Sequence, residues 1–131
     1  MESFIVKNRI LLATLIATVL LFPVFLLAHH SAAAYETQKQ ITVTGSVTEF
    51  HFVNPHVLIY MTAKDEGGTV RKWQGELTSP NRLVRSGWNK DIMKAGDPIA
   101  LTGYPAKDGG NSIRITKVVL KGQPLASDLE Y

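Results

Sequence analysis

Two hydrophobic patterns divide the chain. From Ile10 to Ala28 the residues form one apolar run of 19, broken only by Thr14, Thr18 and Pro23. Beyond Gln40 the apolar positions recur at every second residue, the period of a half-buried strand. Ile41, Val43 and Val47 alternate with Thr42, Thr44, Ser46 and Thr48, and after Thr48 the phase slips by one to Phe50 and Phe52. This slip predicts a bulge or bend near Gly45 to Glu49, of the kind that lets one long strand serve two sides of a small barrel. Asn54-Pro55 signals a turn, and His56 to Ala63 is a second, almost continuously apolar strand. Asp65-Glu66-Gly67-Gly68 supplies a tight turn into a third strand, Thr69 to Leu77, which carries Trp73. Pairing Lys64 with Thr69 across that turn sets His56 opposite Leu77, one residue from Glu76.

The pattern then changes. Ser79-Pro80 can start a helix and Gly87 can stop it, giving about seven residues whose Leu83, Val84 and Trp88 would cover a barrel end while Arg82 and Arg85 stay solvated. A fourth strand runs from Pro98 to Gly103, a polar loop from Lys107 to Asn111, and a fifth strand from Ser112 to Leu120. Three strands, a short helix and two strands are the succession of an OB-fold, a five-stranded Greek-key barrel. A five-stranded sandwich is the rival architecture. The expected fold is therefore all-β, an OB-like barrel over residues 41–121, with a loose tail at 122–131.

The apolar run adds a destination. Lys7 and Arg9 precede it and small residues come after it, so residues 1–28 read as an export signal or a retained membrane anchor. Pro23 would disturb a stable membrane helix, which favours a processed signal. Either form exports the chain beyond Ala28, a part with twelve Lys and Arg against ten Asp and Glu. These charges are mixed along the chain without a basic patch, so nucleic acid is not an expected partner. Residues 29–40 read as a spacer. Cleavage after Ala28 makes His29 the first residue, whereas cleavage after Ala34 fits the A-x-A rule better and discards both His29 and His30.

The chain has no cysteine, which excludes disulfides, thiol catalysis and thiolate metal sites. No serine lies in a G-x-S-x-G or S-x-x-K context, and the paired glycines sit in hairpins instead of opening a helix, so no enzyme is expected. The remaining candidate is histidine. His29 as a first residue would chelate a metal through its α-amine and ring, and a second imidazole would complete a nitrogen set suited to Cu(II). His56 is the choice for that second imidazole, with His30 beside the terminus. His51 reads as a solvent-facing strand residue. Glu76 interrupts an apolar strand end, and one step of register decides whether it shares the face of His56, as a ligand or as an acceptor behind the imidazole.

Taken in order, several short motifs resemble a family of small exported bacterial proteins catalogued as domain of unknown function 6152. They are His29-His30-Ser31, Asn54-Pro55-His56, Glu76-Leu77 with Ser79-Pro80-Asn81, Arg85-Ser86-Gly87-Trp88, Gly96-Asp97, and Gly103-Tyr104 followed by Ala106-Lys107-Asp108-Gly109. The resemblance spans the exported part and implies a periplasmic single-domain protein with an OB-like barrel and no established activity. The chain departs from the family pattern at Ala32, where a phenylalanine is usual. The expectation is a non-enzymatic periplasmic protein binding a metal, copper first, through His29, His30, His56 and Glu76. The alternative is an accessory subunit, anchored by residues 4–28, that docks on a periplasmic or membrane protein partner.

Overall fold

In the computed structural model, which describes residues 33–126, the alternation of β-branched and polar residues becomes a closed sheet. The elements are β1 (Ile41–His51), β2 (Leu58–Lys64), β3 (Val70–Glu76), α1 (Pro80–Arg85), β4 (Pro98–Pro105), β5 (Ser112–Leu120) and the two-residue β6 (Gln123–Pro124). The sheet order is β3-β2-β1-β4-β5-β6. A parallel pairing of β3 with β5, through Gln74↔Ser112, Gly75↔Ile113 and Glu76↔Arg114, closes five strands into a barrel. The expected all-β barrel and the single short helix between the third and fourth strands are thus present. The apolar run up to Ala28, with the signal or anchor expected there, lies outside the described residues. Among the described residues, no helix is long and apolar enough to cross a membrane.

β1 is the strand that serves both sides. Its first half pairs with β4, from Ile41↔Gly103 to Ser46↔Pro98, and its second half pairs with β2, from Ser46↔Thr62 to His51↔Leu58. The changeover needs a glycine. A Cβ on Gly45 would stand 1.9 Å from the Thr62 carbonyl oxygen. Just beyond, the register shifts between Val47 and Glu49, so Thr48 is the bulge that the phase slip predicts. A matching irregularity in β5 falls between Ile115 and Lys117, where the inward set changes phase from Ile113 and Ile115 to Val118 and Leu120.

The inward side chains form one core. Val57, Ile59, Leu77, Leu101, Ile113 and Ile115 are fully buried there, and Leu83 and Trp88 join them from the helix side. Burying such side chains is worth roughly 1.5–3 kcal/mol each, which is what holds a barrel of this size together. Val84, expected to cover the barrel end with Leu83 and Trp88, is instead 56% exposed. On so short a helix Leu83 already takes the core-facing position, and Trp88 is buried three residues beyond the helix end. Ser79 stands at the helix start without a side-chain cap, and Pro80 takes the first helical position.

Both ends of the described chain are tied to the barrel further than their polarity suggests. β6 pairs with β5, the Leu125 amide donates to the Val118 carbonyl at 2.9 Å, and Trp88 Nε1 donates to the Ala126 carbonyl at 2.7 Å. The stretch read as a loose tail is thus held as far as Ala126. At the other end Tyr35, inside the stretch read as a spacer, is only 6% exposed.

Candidate functional site

The β2–β3 hairpin decides which residues meet. Its register is one residue from the expected one, with Lys64 paired to Val70 and Leu58 to Glu76. The cause is local. Gly68 donates to the Asp65 carbonyl and adopts φ +80°, while Asp65 and Thr69 face each other, the Asp65 amide donating to the Thr69 carbonyl at 2.9 Å. The Asp65 carboxylate also accepts the Thr69 amide at 2.8 Å. This is a three-residue loop closed by a left-handed glycine, in place of the four turn residues that the sequence predicts. The Asp65 carboxylate, fixed by the Thr69 amide and by Arg71, titrates below its ordinary value.

That single step turns Glu76 outward. Val57, Ile59, Met61 and Ala63 point into the barrel, so Leu58 lies on its outer face, with His56 two residues before it on the same side. Glu76, directly across from Leu58, shares that face, diagonal to His56. Glu76 Oε1 stands 2.6 Å from His56 Nδ1, with the carboxylate side chain 13% exposed and the imidazole side chain 36% exposed. Oε1 itself is sealed from solvent and has no aligned hydrogen-bond donor, because the imidazole meets it off the axis of a ring N–H bond. A buried carboxylate oxygen with unspent lone pairs is costly unless a cation or proton serves it.

The other carboxylate oxygen has a partner that the sequence did not announce. Tyr35 donates its hydroxyl to Glu76 Oε2 at 3.2 Å, and the same hydroxyl lies 3.2 Å from Ser112 Oγ. Tyr35 is brought there by a short pairing with the end of β4. Tyr35 bridges Ala106, the Glu36 amide donates to the Pro105 carbonyl at 2.8 Å, and the Lys107 amide donates to the Ala34 carbonyl at 2.9 Å. Burial raises the phenol above its ordinary titration value and the adjacent Glu76 adds to this, while the Ser112 bond and the Arg114 charge offset part of it. The one sequence signal for Tyr35 is an aromatic residue alone in a stretch of small and polar ones.

Of the four sequence-derived ligand candidates, His56 and Glu76 are brought together. His29 and His30 lie outside the described residues. His51, at the end of β1 opposite Leu58, is engaged elsewhere: its Nε2 lies 3.0 Å from Glu49 Oε2 and its ring meets Tyr60 edge-on at 5.1 Å between centroids. Among the described residues, no group of three His, Asp or Glu side chains stands arranged to hold a metal ion. The arrangement therefore offers one half-exposed imidazole with a carboxylate oxygen 2.6 Å from its Nδ1.

Fold and site together define a small closed β-barrel that carries a tyrosine-braced histidine–carboxylate pair on its outer wall. The chain belongs to a family of unknown function, DUF6152, whose model matches residues 19–114. No curated protein matches the sequence.

Proposed function

We propose that the protein is exported to the periplasm, where its OB-type barrel binds a transition-metal ion without catalysing a reaction. The observation that carries this reading is the contact between His56 and Glu76. A carboxylate behind one ring nitrogen fixes the imidazole and raises the basicity of the other nitrogen, the usual support of a metal-ligating histidine. The sealed Oε1 fits this role, since a charge drawn onto the imidazole would give it the partner it otherwise lacks. His56 would be a ligand through Nε2, Glu76 its acceptor, and the remaining donors would come from His29, with its α-amine, and His30. Nitrogen donors without thiolate favour Cu(II) over magnesium or calcium. Carriage of the ion, its sensing, or the metallation of a partner protein would be the physiological use.

The test starts with the protein recovered from the exported fraction, its first residue read by mass spectrometry, followed by calorimetric titration with Cu(II). The expected result is a terminus at His29 and binding tighter than about micromolar, near −8 kcal/mol, that is lost in His56→Ala. Weaker binding, or an unchanged affinity in His56→Ala, would overturn the proposal. A full-length chain retained in the membrane fraction would remove the free α-amine and favour an anchored accessory subunit.

A further inference from the structure

Tyr35 spends an unusual amount of structure on one hydroxyl group. Its ring is buried although it precedes the first barrel strand, and backbone hydrogen bonds on both sides pin Ala34 to Glu36 against the end of β4. The hydroxyl has two partners and neither is incidental. It donates to Glu76 Oε2, and Ser112 Oγ lies at the same 3.2 Å to supply the proton that the phenol oxygen then accepts. Ser112 is itself placed by the closure of the barrel, opposite Gln74 on the β3–β5 seam. The two oxygens of Glu76 are thus divided, Oε2 to Tyr35 and Oε1 to His56.

Dividing a carboxylate this way fixes its rotation. With Oε2 held, Oε1 can only face the imidazole, although that contact lacks the alignment that would hold it there unaided. We infer that Tyr35 is a positioning residue for His56, acting through Glu76 to favour the tautomer with the proton on Nδ1 and the lone pair on Nε2. The run Ser112–Tyr35–Glu76 then carries one direction of donation, each hydroxyl giving its proton toward the carboxylate, and the charge on Oε1, 2.6 Å from His56 Nδ1, favours a proton on that ring nitrogen. The inference rests on the proposed site for its use in metal binding, but not for its geometry. It also gives the stretch between export segment and barrel a task, since the residues that fix Tyr35 determine the state of a side chain on β2's edge.

The deciding experiment compares the exported wild-type chain with Tyr35→Phe, Ser112→Ala and Glu76→Gln. Long-range ¹H–¹⁵N NMR of the metal-free protein at neutral pH reports which ring nitrogen of His56 carries the proton. Wild type is expected to show Nδ1–H predominantly, and Tyr35→Phe, which keeps the ring and loses only the hydroxyl, is expected to shift the population toward Nε2–H. Ser112→Ala should shift it in the same direction by less, and Glu76→Gln by more. Cu(II) titration of the same samples should show a loss of up to ~10-fold in Tyr35→Phe, the low end of what an outer-shell partner is worth. An unchanged tautomer population in Tyr35→Phe overturns the inference. Failure of wild type to bind Cu(II) sinks the metal reading alone, and the tautomer comparison still decides the part played by Tyr35. Should Tyr35→Phe unfold, Ser112→Ala carries the same comparison from the opposite end of the run.

Discussion

Replacing Gly45 by alanine tests the account of how the barrel closes. Gly45 lies where β1 leaves β4 and joins β2, paired with Ile99 on one side and followed by Ser46↔Thr62 on the other. The added methyl group would stand 1.9 Å from the Thr62 carbonyl oxygen and 2.9 Å from Met61 Cε. Met61 can rotate away, but the carbonyl belongs to the backbone of β2 and must retreat by more than an ångström. Overpacking of this kind costs about 1–3 kcal/mol, and disturbing one or two ladder hydrogen bonds adds about 1 kcal/mol each. Against that, alanine gains roughly 0.4–1 kcal/mol from a less flexible unfolded chain. A net loss of about 3 kcal/mol would lower the Tm of a domain of about 100 residues by roughly 12–24 °C. Thermal unfolding followed by far-ultraviolet circular dichroism reads this directly. Gly67→Ala is the control, because its nearest atom would be Asp65 Oδ1 at an ordinary 3.4 Å, and its Tm should stay within a few degrees of wild type. Equal Tm values for the two variants would refute the view that the close approach at Gly45 is what bends β1.

Three further outcomes rest on particular contacts. Burial works to raise the titration of Asp97, but the Lys94 amide and the Lys121 ammonium outweigh it and hold the carboxylate below its ordinary 3.8, so its contribution is present above that pH and lost as pH falls through the lower folded value. Asp97→Asn should therefore flatten the acid limb of a Tm-against-pH curve, and an acid limb of wild-type steepness would count against this assignment. Tyr35 carries the opposite sign at the other end of the scale, since a phenol raised above 10.0 by burial makes a contribution that is intact below pH 10 and declines as pH rises through the folded value. Urea midpoints between pH 8 and 11 should fall faster for wild type than for Tyr35→Phe. Finally, Trp88→Phe removes the hydrogen bond to the Ala126 carbonyl, worth about 0.5–1.5 kcal/mol, and should speed exchange of the Leu125 amide with solvent. Exchange of Leu125 at the wild-type rate would show that Trp88 does not hold this end of the barrel.

Much of the barrel was legible because side-chain period is a local property. Val43 and Val47, then Phe50 and Phe52, disclose both the strand and its bulge before any partner is known. Ser79-Pro80 and Gly87 bracket the helix in the same local way. The candidate site was legible only in its parts. His56 and Glu76 could be named as chemically odd for their positions, yet the face of Glu76 hung on a loop of three residues against four. Tyr35 was not legible as a site residue, since its hydroxyl meets Glu76 and Ser112 across 41 and 77 residues of chain.

By itself the sequence determined the order of elements, the inward set of β1 with its bulge, the absence of thiol chemistry and the family to which the chain belongs. The elements and the missing thiols come from composition or from patterns within about ten neighbouring residues, and the family from the order of short motifs along the chain. Only the tertiary structure decided the parallel closure of β3 on β5, the step of register that turns Glu76 toward His56, and the short pairing that brings the Tyr35 hydroxyl to Glu76 and Ser112. These depend on which distant backbones exchange hydrogen bonds, and a strand displaced by one residue has the same local pattern but presents the opposite face.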